Sequence, residues 1–234
     1  IYWQLKETVQ GIAEACEALG TPVTGGNVSL YNETDGEAIY PTPIIGMLGL
    51  LEDAEKHATI GFKNKGDLIL LVGENKDELS GSEFLTVQHG LVAGPGPELD
   101  LELEKRNGEF CRSLIEKGLV SSCHDISDGG LAIALAECAM AGKLGARVKL
   151  YCPERRDSLL FGESQARYVV SLPEENYDAL RGLAEKQGVS ISLLGRVEGE
   201  EFTVELGEEK VISTRVSEML DLWSSGLERL LGEE

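Results

Sequence analysis

The chain has 234 residues, of which 42% are hydrophobic and 26% are charged. This composition predicts a folded globular protein with a sizeable core and argues against a disordered one. A formal net charge of -20 repels the phosphate backbone of nucleic acids and anionic membrane surfaces, so neither is an expected partner. A small phosphorylated ligand stays possible, because backbone N–H groups can bind phosphate locally.

The cysteines and the apolar runs favour a reducing, aqueous compartment. The 5 cysteines are an odd number, lie far apart and form no C-x-x-C pair, so we expect reduced thiols. No apolar run reaches the roughly 20 residues of a membrane span, and no secretory signal opens the chain. We therefore expect a cytoplasmic protein. The chain starts at Ile1 without an initiator Met and enters a helical pattern at once, which suggests a truncated chain.

The first part of the chain predicts half of a small α/β unit. Apolar residues at three- and four-residue steps, followed by Gly20 and Pro22, predict an amphipathic helix over residues 3–19. The following segments predict a strand, a polar turn and a second strand at residues 23–31, 32–38 and 44–51.

The remainder predicts a larger mixed α/β (α+β) domain. Residues 52–67 are polar, whereas Leu68 to Val72 is the continuous apolar run of a buried strand, so we place the domain boundary between these two segments. Further strands are predicted at 119–123, 167–172, 190–197, 202–206 and 210–213, and helices at 99–117, 128–141, 174–187 and 216–231. The last helix has Ser217 as its expected N-cap.

The most informative motif begins with the glycine pair Gly25 and Gly26. Glycines let backbone N–H groups approach a ligand, Asn27 offers an amide oxygen suited to magnesium, and Ser29 would share one strand face with Asn27. The alternative is a β-bulge followed by an ordinary polar edge. Both interpretations are open from the residues alone.

The second motif spans residues 124–131 and opens the predicted helix at 128–141. Ser127 or Asp128 could cap the helix, and its free N–H groups could bind a phosphate, with the two acids of the motif attracting magnesium. Capping and close helix-to-sheet packing explain the pattern equally well. His124 is expected to be a hydrogen-bonded interior residue rather than a ligand or base.

The third motif spans residues 160–170 and precedes an apolar strand. Glu163, Ser164 and Gln165 could bind ribose hydroxyls, and Arg167 could pair with a phosphate. An exposed loop with an ordinary ion pair is the alternative. The sequence shows no Ser-His-Asp, Cys-His or zinc-ligand arrangement and no G-x-x-x-x-G-K-[ST] loop, so any nucleotide chemistry uses another scaffold.

In order and spacing, these three motifs resemble the second half of the large subunit in the phosphoribosylformylglycinamidine synthase family. The similarity runs through essentially the whole chain. It implies a two-domain PurM-like architecture, with an incomplete second A domain at residues 1–64 that lacks its first strand, and a complete second B domain at 65–234.

The resemblance also implies a function in purine biosynthesis. The family converts formylglycinamide ribonucleotide, ATP and glutamine-derived ammonia to the amidine, together with a glutaminase subunit and a small accessory subunit. By position, Gly26 matches an ATP contact, Asn27 a Mg²⁺ ligand and Ser29 a substrate contact. The family's catalytic histidine lies in the first half, so no catalytic residue is expected in this chain.

Two alternatives stay open from the sequence. The chain could be a non-catalytic scaffold that holds a structural nucleotide, with the second and third motifs as its binding loops. It could also be another PurM-superfamily enzyme, such as aminoimidazole ribonucleotide synthetase. We further expect that the isolated chain is inactive and that it could pair with a second copy through the exposed sheet of its first domain.

Overall fold

A computed structural model describes residues 2–29, 33–151 and 155–232. By its internal contacts the chain divides into two units, Ile1–Asp53 and Ala54–Glu234. Residues shortly after this division pack into the second unit, where Phe62 is buried and its N–H donates to the carbonyl of Cys138. The boundary between residues 64 and 65 stays a prediction.

The first unit consists of one helix and a short hairpin. The predicted helix is confirmed as α1 (Tyr2–Leu19), and the predicted polar turn contains the antiparallel pair β1 (Glu33–Thr34) and β2 (Glu37–Ala38). None of the residues described in this unit is buried, so its apolar side chains do not form a core.

Two strands predicted in the first unit are wrong. Residues 21–29 and 39–51 are irregular, while residues 30 and 31 of the first predicted strand lie outside the described residues. A strand is stable only when its N–H and C=O groups pair with a neighbouring strand, and the described part of this unit offers only the two-residue ladder of β1 and β2. The apolar run therefore stays unpaired, with Ile44 96% and Leu48 100% exposed.

The second unit is built on a seven-stranded sheet. Its strands β3 to β9 are Leu68–Val72, Ser122–Asp125, Ala146–Leu150, Tyr168–Leu172, Ile191–Val197, Glu201–Leu206 and Glu209–Arg215. Their order across the sheet is β4-β6-β3-β7-β5-β8-β9. Neighbours pair antiparallel, except that β5 and β8 are parallel. Helices α2 to α7 are Glu83–His89, Leu101–Glu116, Gly130–Gly142, Arg156–Phe161, Tyr177–Gln187 and Val216–Leu231.

Helices cover both faces of this sheet, which explains the continuous apolar run of β3. Leu70 and Val72 belong to a core with Phe110 of α3 and Leu180 of α6. Residues of opposite parity, such as Ile69, belong to a second core with side chains of α4, α5 and α7. Every residue of β3 is therefore buried.

The mixed α/β class is confirmed, and the predicted elements of the second unit occur in the expected order. The predicted strand at 119–123 begins later, at Ser122, and the helix predicted from 174 starts with a 3₁₀ turn at Glu174–Asn176. Three elements were missed, namely α2, β5 and α5. In β5 the burial alternates between core and solvent, so a period of two was present in its sequence.

The predicted N-cap of the last helix is also wrong. Helix α7 begins at Val216, with Arg215 rather than Ser217 at the N-cap position. The carboxylate of Glu218 accepts hydrogen bonds from the Arg215 N–H and the Thr214 hydroxyl, at 3.3 and 3.2 Å. Glu218 in the first turn therefore reaches back to the N–H of the N-cap residue, as the glutamate of a capping box does. Within the described ranges, no helix combines the length and apolar character that crossing a bilayer requires.

Strand β7 passes unusually close to β5 at Gly195. A Cβ built on Gly195 would lie 2.0 Å from the carbonyl oxygen of Arg147 on the neighbouring strand. The β3–β7 register also shifts at this point, between Ile69 and Leu70. Only a residue without a side chain fits this approach.

Replacing Gly195 with Ala should therefore lower the free energy of unfolding by at least about 2 kcal/mol, because the sheet must move to admit the methyl group. Gly182 is the matched control: it is exposed on α6 with nothing within 4 Å of an added Cβ, so Gly182→Ala should stabilise. Urea unfolding followed by circular dichroism measures both. A Gly195→Ala variant as stable as the parent would contradict this packing.

Candidate functional site

The first predicted site lies on an irregular, exposed segment of the first unit. Asn27 and Ser29 are brought together as expected, because the Asn27 amide Nδ2 donates to the Ser29 hydroxyl oxygen at 2.9 Å. A Cβ added to Gly25 or Gly26 would meet no atom within 4 Å, so the backbone there is open to a ligand. The side-by-side placement does not come from a strand, as predicted, but from local chain geometry.

These groups provide only part of a metal or nucleotide site. The NH₂ group of Asn27 donates to Ser29, so the amide oxygen of Asn27 is the atom that could bind a metal ion. Across residues 2–29, 33–151 and 155–232, no cluster of three or more His, Cys, Asp or Glu side chains could hold a metal ion. Leu30, Tyr31 and Asn32, which complete the motif, lie outside the described residues.

In the second motif, the chain's own carboxylate is bound where a phosphate was expected. Oε1 of Glu163 accepts hydrogen bonds from the N–H of Gly129, just before α4, and from the N–H of Glu83, the first residue of α2, both at 2.8 Å. The capping role predicted for Ser127 or Asp128 is wrong, since the N-cap residue of α4 is Gly129, which has no side chain to form a cap. One glutamate thus joins the starts of two helices.

Close packing, the alternative for this motif, is confirmed at Gly130. Its φ is +70°, and a Cβ on it would lie 2.5 Å from the carbonyl oxygen of Gly162. The start of α4 can approach the third motif only because this position has no side chain.

His124 is an interior hydrogen-bonded residue, as predicted. Its side chain is 11% exposed, with Nε2 2.8 Å from a carboxylate oxygen of Glu137 on α4 and Nδ1 3.3 Å from Asp125. The contact with Glu137 connects the edge strand β4 to α4.

Arg167, predicted to pair with a phosphate, is instead a structural residue. It is 2% exposed, and its guanidinium donates to the carbonyls of Ser164 and Gly162, both at 2.7 Å, and to Oδ1 of Asn75 at 2.5 Å. Burial lowers the pKa of Arg167 to about 10, although the carboxylates of Glu78 and Glu163 oppose that shift. At neutral pH the group is therefore a buried cation that holds two loops together.

Glu78 is the acidic neighbour of this cation. Its Oε1 accepts from the N–H of Glu98 at 2.8 Å. Burial tends to raise the pKa of Glu78, but the hydrogen bond from the Glu98 N–H and the nearby Ser164 hydroxyl, with the charges of Lys76 and Arg167, lower it below its usual value.

Two residues of α3 hold the third motif in its conformation. Ala166 has a φ of +58°, and its N–H donates to Oε1 of Glu104 at 2.6 Å while its carbonyl accepts from Nδ2 of Asn107 at 2.9 Å. Sequence reasoning missed both partners, because they lie about 60 positions earlier and carry no local signal. Of the polar residues in this loop, Gln165 stays exposed.

A groove of about 630 Å³ lies beside this loop system, at the ends of β3, β5 and β7. Its lining includes Gly73, Asn75, Arg155, Ser190 and Ser192. None of its lining residues belongs to the second motif at 124–131 or to the third motif at 160–170.

Comparison with known proteins identifies relatives along the whole chain. The N-terminal domain of AIR synthase related proteins matches residues 1–51, and the C-terminal domain of the same family matches residues 64–207. The phosphoribosylformylglycinamidine synthase subunit PurL of Moorella thermoacetica is 47% identical over 231 residues, which is 99% of this chain and 32% of that protein. The chain thus spans about a third of the length of such relatives.

Solved structures show the same fold. PurL of Thermotoga maritima complexed with FGAR has a TM-score of 0.62 at 21% identity, covering 71% of this chain and 30% of that one. The same protein complexed with ATP gives a TM-score of 0.57 at 21% identity, over 71% of this chain and 28% of that one. The predicted two-domain PurM-like fold and the resemblance to the synthase large subunit are confirmed.

Replacing Arg167 with Lys should lower the free energy of unfolding by about 3 kcal/mol, because a single ammonium cannot serve three acceptors arranged for a guanidinium. Arg181→Lys, on the exposed face of α6, is the matched control and should change stability little. Chemical denaturation measures both variants. Equal stability of the two would show that the buried network is not important for the fold.

Acidification should destabilise the protein in part through Glu78. Its folded-state pKa lies below the ordinary value of 4.5, so its contribution to stability is complete above that pH and is lost as the pH falls through the folded pKa. Glu78→Gln should therefore be less stable than the parent at pH about 7 and lose less stability on acidification to pH about 3.

Thermal unfolding over this pH range, with Glu200→Gln as an exposed control, measures the difference. Parallel pH curves for Glu78→Gln and the parent would contradict the assignment.

Proposed function

We propose a function on the basis of the family: the chain belongs to the AIR synthase related proteins. We infer that it is the C-terminal part of a phosphoribosylformylglycinamidine synthase large subunit. The supporting observation is the exposed segment in which Asn27 and Ser29 lie 2.9 Å apart beside a bare glycine backbone. The identity of 47% to the Moorella thermoacetica subunit, over nearly the whole chain, gives the reaction class.

The proposed reaction is an ATP-dependent amidation in purine biosynthesis. The γ-phosphoryl group of ATP is transferred to the glycinamide carbonyl oxygen of formylglycinamide ribonucleotide, and ammonia derived from glutamine then displaces that oxygen as phosphate to give the amidine, while the formyl group is unchanged. Phosphoryl transfer depends on positioning and on neutralisation of charge, and not on a protein nucleophile. The chain accordingly needs to supply binding groups rather than a catalytic residue.

Each proposed role matches the chemistry of its group. The N–H groups beside Gly26 would donate to ATP phosphate oxygens, the amide oxygen of Asn27 would bind Mg²⁺, and the Ser29 hydroxyl would bind the ribonucleotide substrate. A bound Mg²⁺ would neutralise charge on the phosphates. Since one amide oxygen is a small part of an octahedral shell, carboxylates from outside the described residues would complete it.

The domain arrangement and the partners are part of the same proposal. We assign residues 1–64 to the second A domain, lacking its first strand, and residues 65–234 to the second B domain. The unburied apolar residues of the first unit support a covering partner, which we propose to be the rest of the synthase or, for the isolated chain, a second copy. A glutaminase subunit, a small accessory subunit and a cytoplasmic location belong to this proposal.

The alternatives receive no support from the second unit. A scaffold with a structural nucleotide would need free donors in the second and third motifs, but the Gly129 N–H is bound by Glu163 and the guanidinium of Arg167 is bound within the protein. Relatives that are 47% identical over nearly the whole chain, such as the Moorella thermoacetica subunit, are synthase subunits, which favours the synthase over aminoimidazole ribonucleotide synthetase.

A chimera tests the proposal directly. The matching third of the Moorella thermoacetica subunit is replaced by this chain, and amidation is measured with ammonium as the nitrogen donor. Asn27→Ala should reduce kcat by about a hundredfold or more and raise the Mg²⁺ concentration needed, because a metal ligand is lost. Ser29→Ala should instead raise KM for the ribonucleotide.

Thr42→Ala is the control, since Thr42 is exposed in the same unit and has no proposed role. Near-parental turnover of Asn27→Ala at every Mg²⁺ concentration would sink the proposed site. A chimera that is folded but inactive before any substitution would count against the proposed function itself.

A further inference from the structure

The last helix buries one end of an apolar line and exposes the other. At the start of α7, Val216 is buried, and Leu220 packs against the core formed with α4 and α5. The same helix then exposes Trp223, Leu227 and Leu230 at 72%, 69% and 87%. We call these three residues the distal stripe.

The distal stripe continues the buried line with the spacing of a coiled-coil seam. From Val216 to Leu220, and on through Trp223, Leu227 and Leu230, the steps are alternately four and three residues. That pattern places side chains in the a and d positions of a heptad, the arrangement by which one helix packs along another. Large exposed apolar side chains in a row are typical of an interface rather than of a solvated helix face.

The residues that flank the seam fit a second copy of the same helix. The e and g positions within the described helix are Ser217, Met219, Ser224, Gly226 and Leu231, none of which is charged. In a protein with 41 acidic and 21 basic residues, an uncharged border is unusual, and it avoids the like-charge contacts that would separate two identical chains.

Gly226 also suits an antiparallel pair. It lies midway between Trp223 and Leu230, so two antiparallel helices that cross there would place each Trp223 against Leu230 of the other copy. A Cβ on Gly226 would have nothing within 4 Å, so the backbones have room to approach. Glycine also weakens an isolated helix, so the distal turns would gain stability from such a contact.

We propose that α7 is a self-association helix, through which two copies of the chain pair antiparallel by burying the distal stripe. This surface differs from the first unit, the other place at which a second copy was proposed to bind. The pairing is two-fold symmetric, so each copy provides the same residues to the interface.

Sedimentation equilibrium of the full 234-residue chain over a wide concentration range measures the association. Leu227→Lys should weaken dimerisation by about a hundredfold or more, because two leucines leave the interface and two charges enter it. Leu222→Lys is the matched control: Leu222 is 59% exposed on the same helix but lies off the seam, so the same change in charge should alter the dimer little.

Trp223→Gln provides a second disruption of the seam, and circular dichroism confirms that each variant stays folded. A chain that remains monomeric at high concentration would overturn the proposal. So would a dimer that Leu227→Lys leaves intact, or one that Leu48→Lys in the first unit abolishes instead.

Discussion

The fold of the second unit depends on one loop, whose conformation is fixed by the buried guanidinium of Arg167 and by the carboxylate of Glu163. Arg167 donates to the carbonyls of Ser164 and Gly162 and to Asn75, while Glu163 accepts from the starts of α2 and α4. A buried guanidinium is costly unless its donors are satisfied, so this loop has little freedom to change. Its conformation then positions two helices and the start of strand β6, which lies between β4 and β3.

This network changes the interpretation of two sequence motifs. Helix N-termini and arginines are common phosphate ligands, which made the second and third motifs credible nucleotide loops. In the fold, Glu163 accepts from the starts of α2 and α4, Arg167 donates to backbone carbonyls and to Asn75, and Gly130 serves close packing. The features that remain open to a ligand are those of the first unit, where Gly26, Asn27 and Ser29 are exposed.

Sequence reasoning succeeded where periodicity and burial agree, and failed where structure depends on distant partners. The buried strand β3 and the helices α1, α3 and α7 have strong patterns, and all were predicted. The apolar run near Ile44 looked like a strand but lacks a described neighbour to pair with. For the candidate site, the proximity of Asn27 and Ser29 was predicted from the spacing of a strand, although residues 21–29 are irregular. The internal use of Arg167 depended on Asn75, about ninety positions away.

The strand order has a consequence for how the chain emerges during synthesis. Strand β3 is entirely apolar, yet its two neighbours, β6 and β7, begin about one hundred residues later. On a ribosome that adds roughly 5–20 residues per second, the run Leu68–Val72 would wait for several seconds or more before either neighbour exists. During that interval it is a short, uncharged segment with high β-propensity, of the kind that chaperones bind and that can aggregate with other unfolded chains.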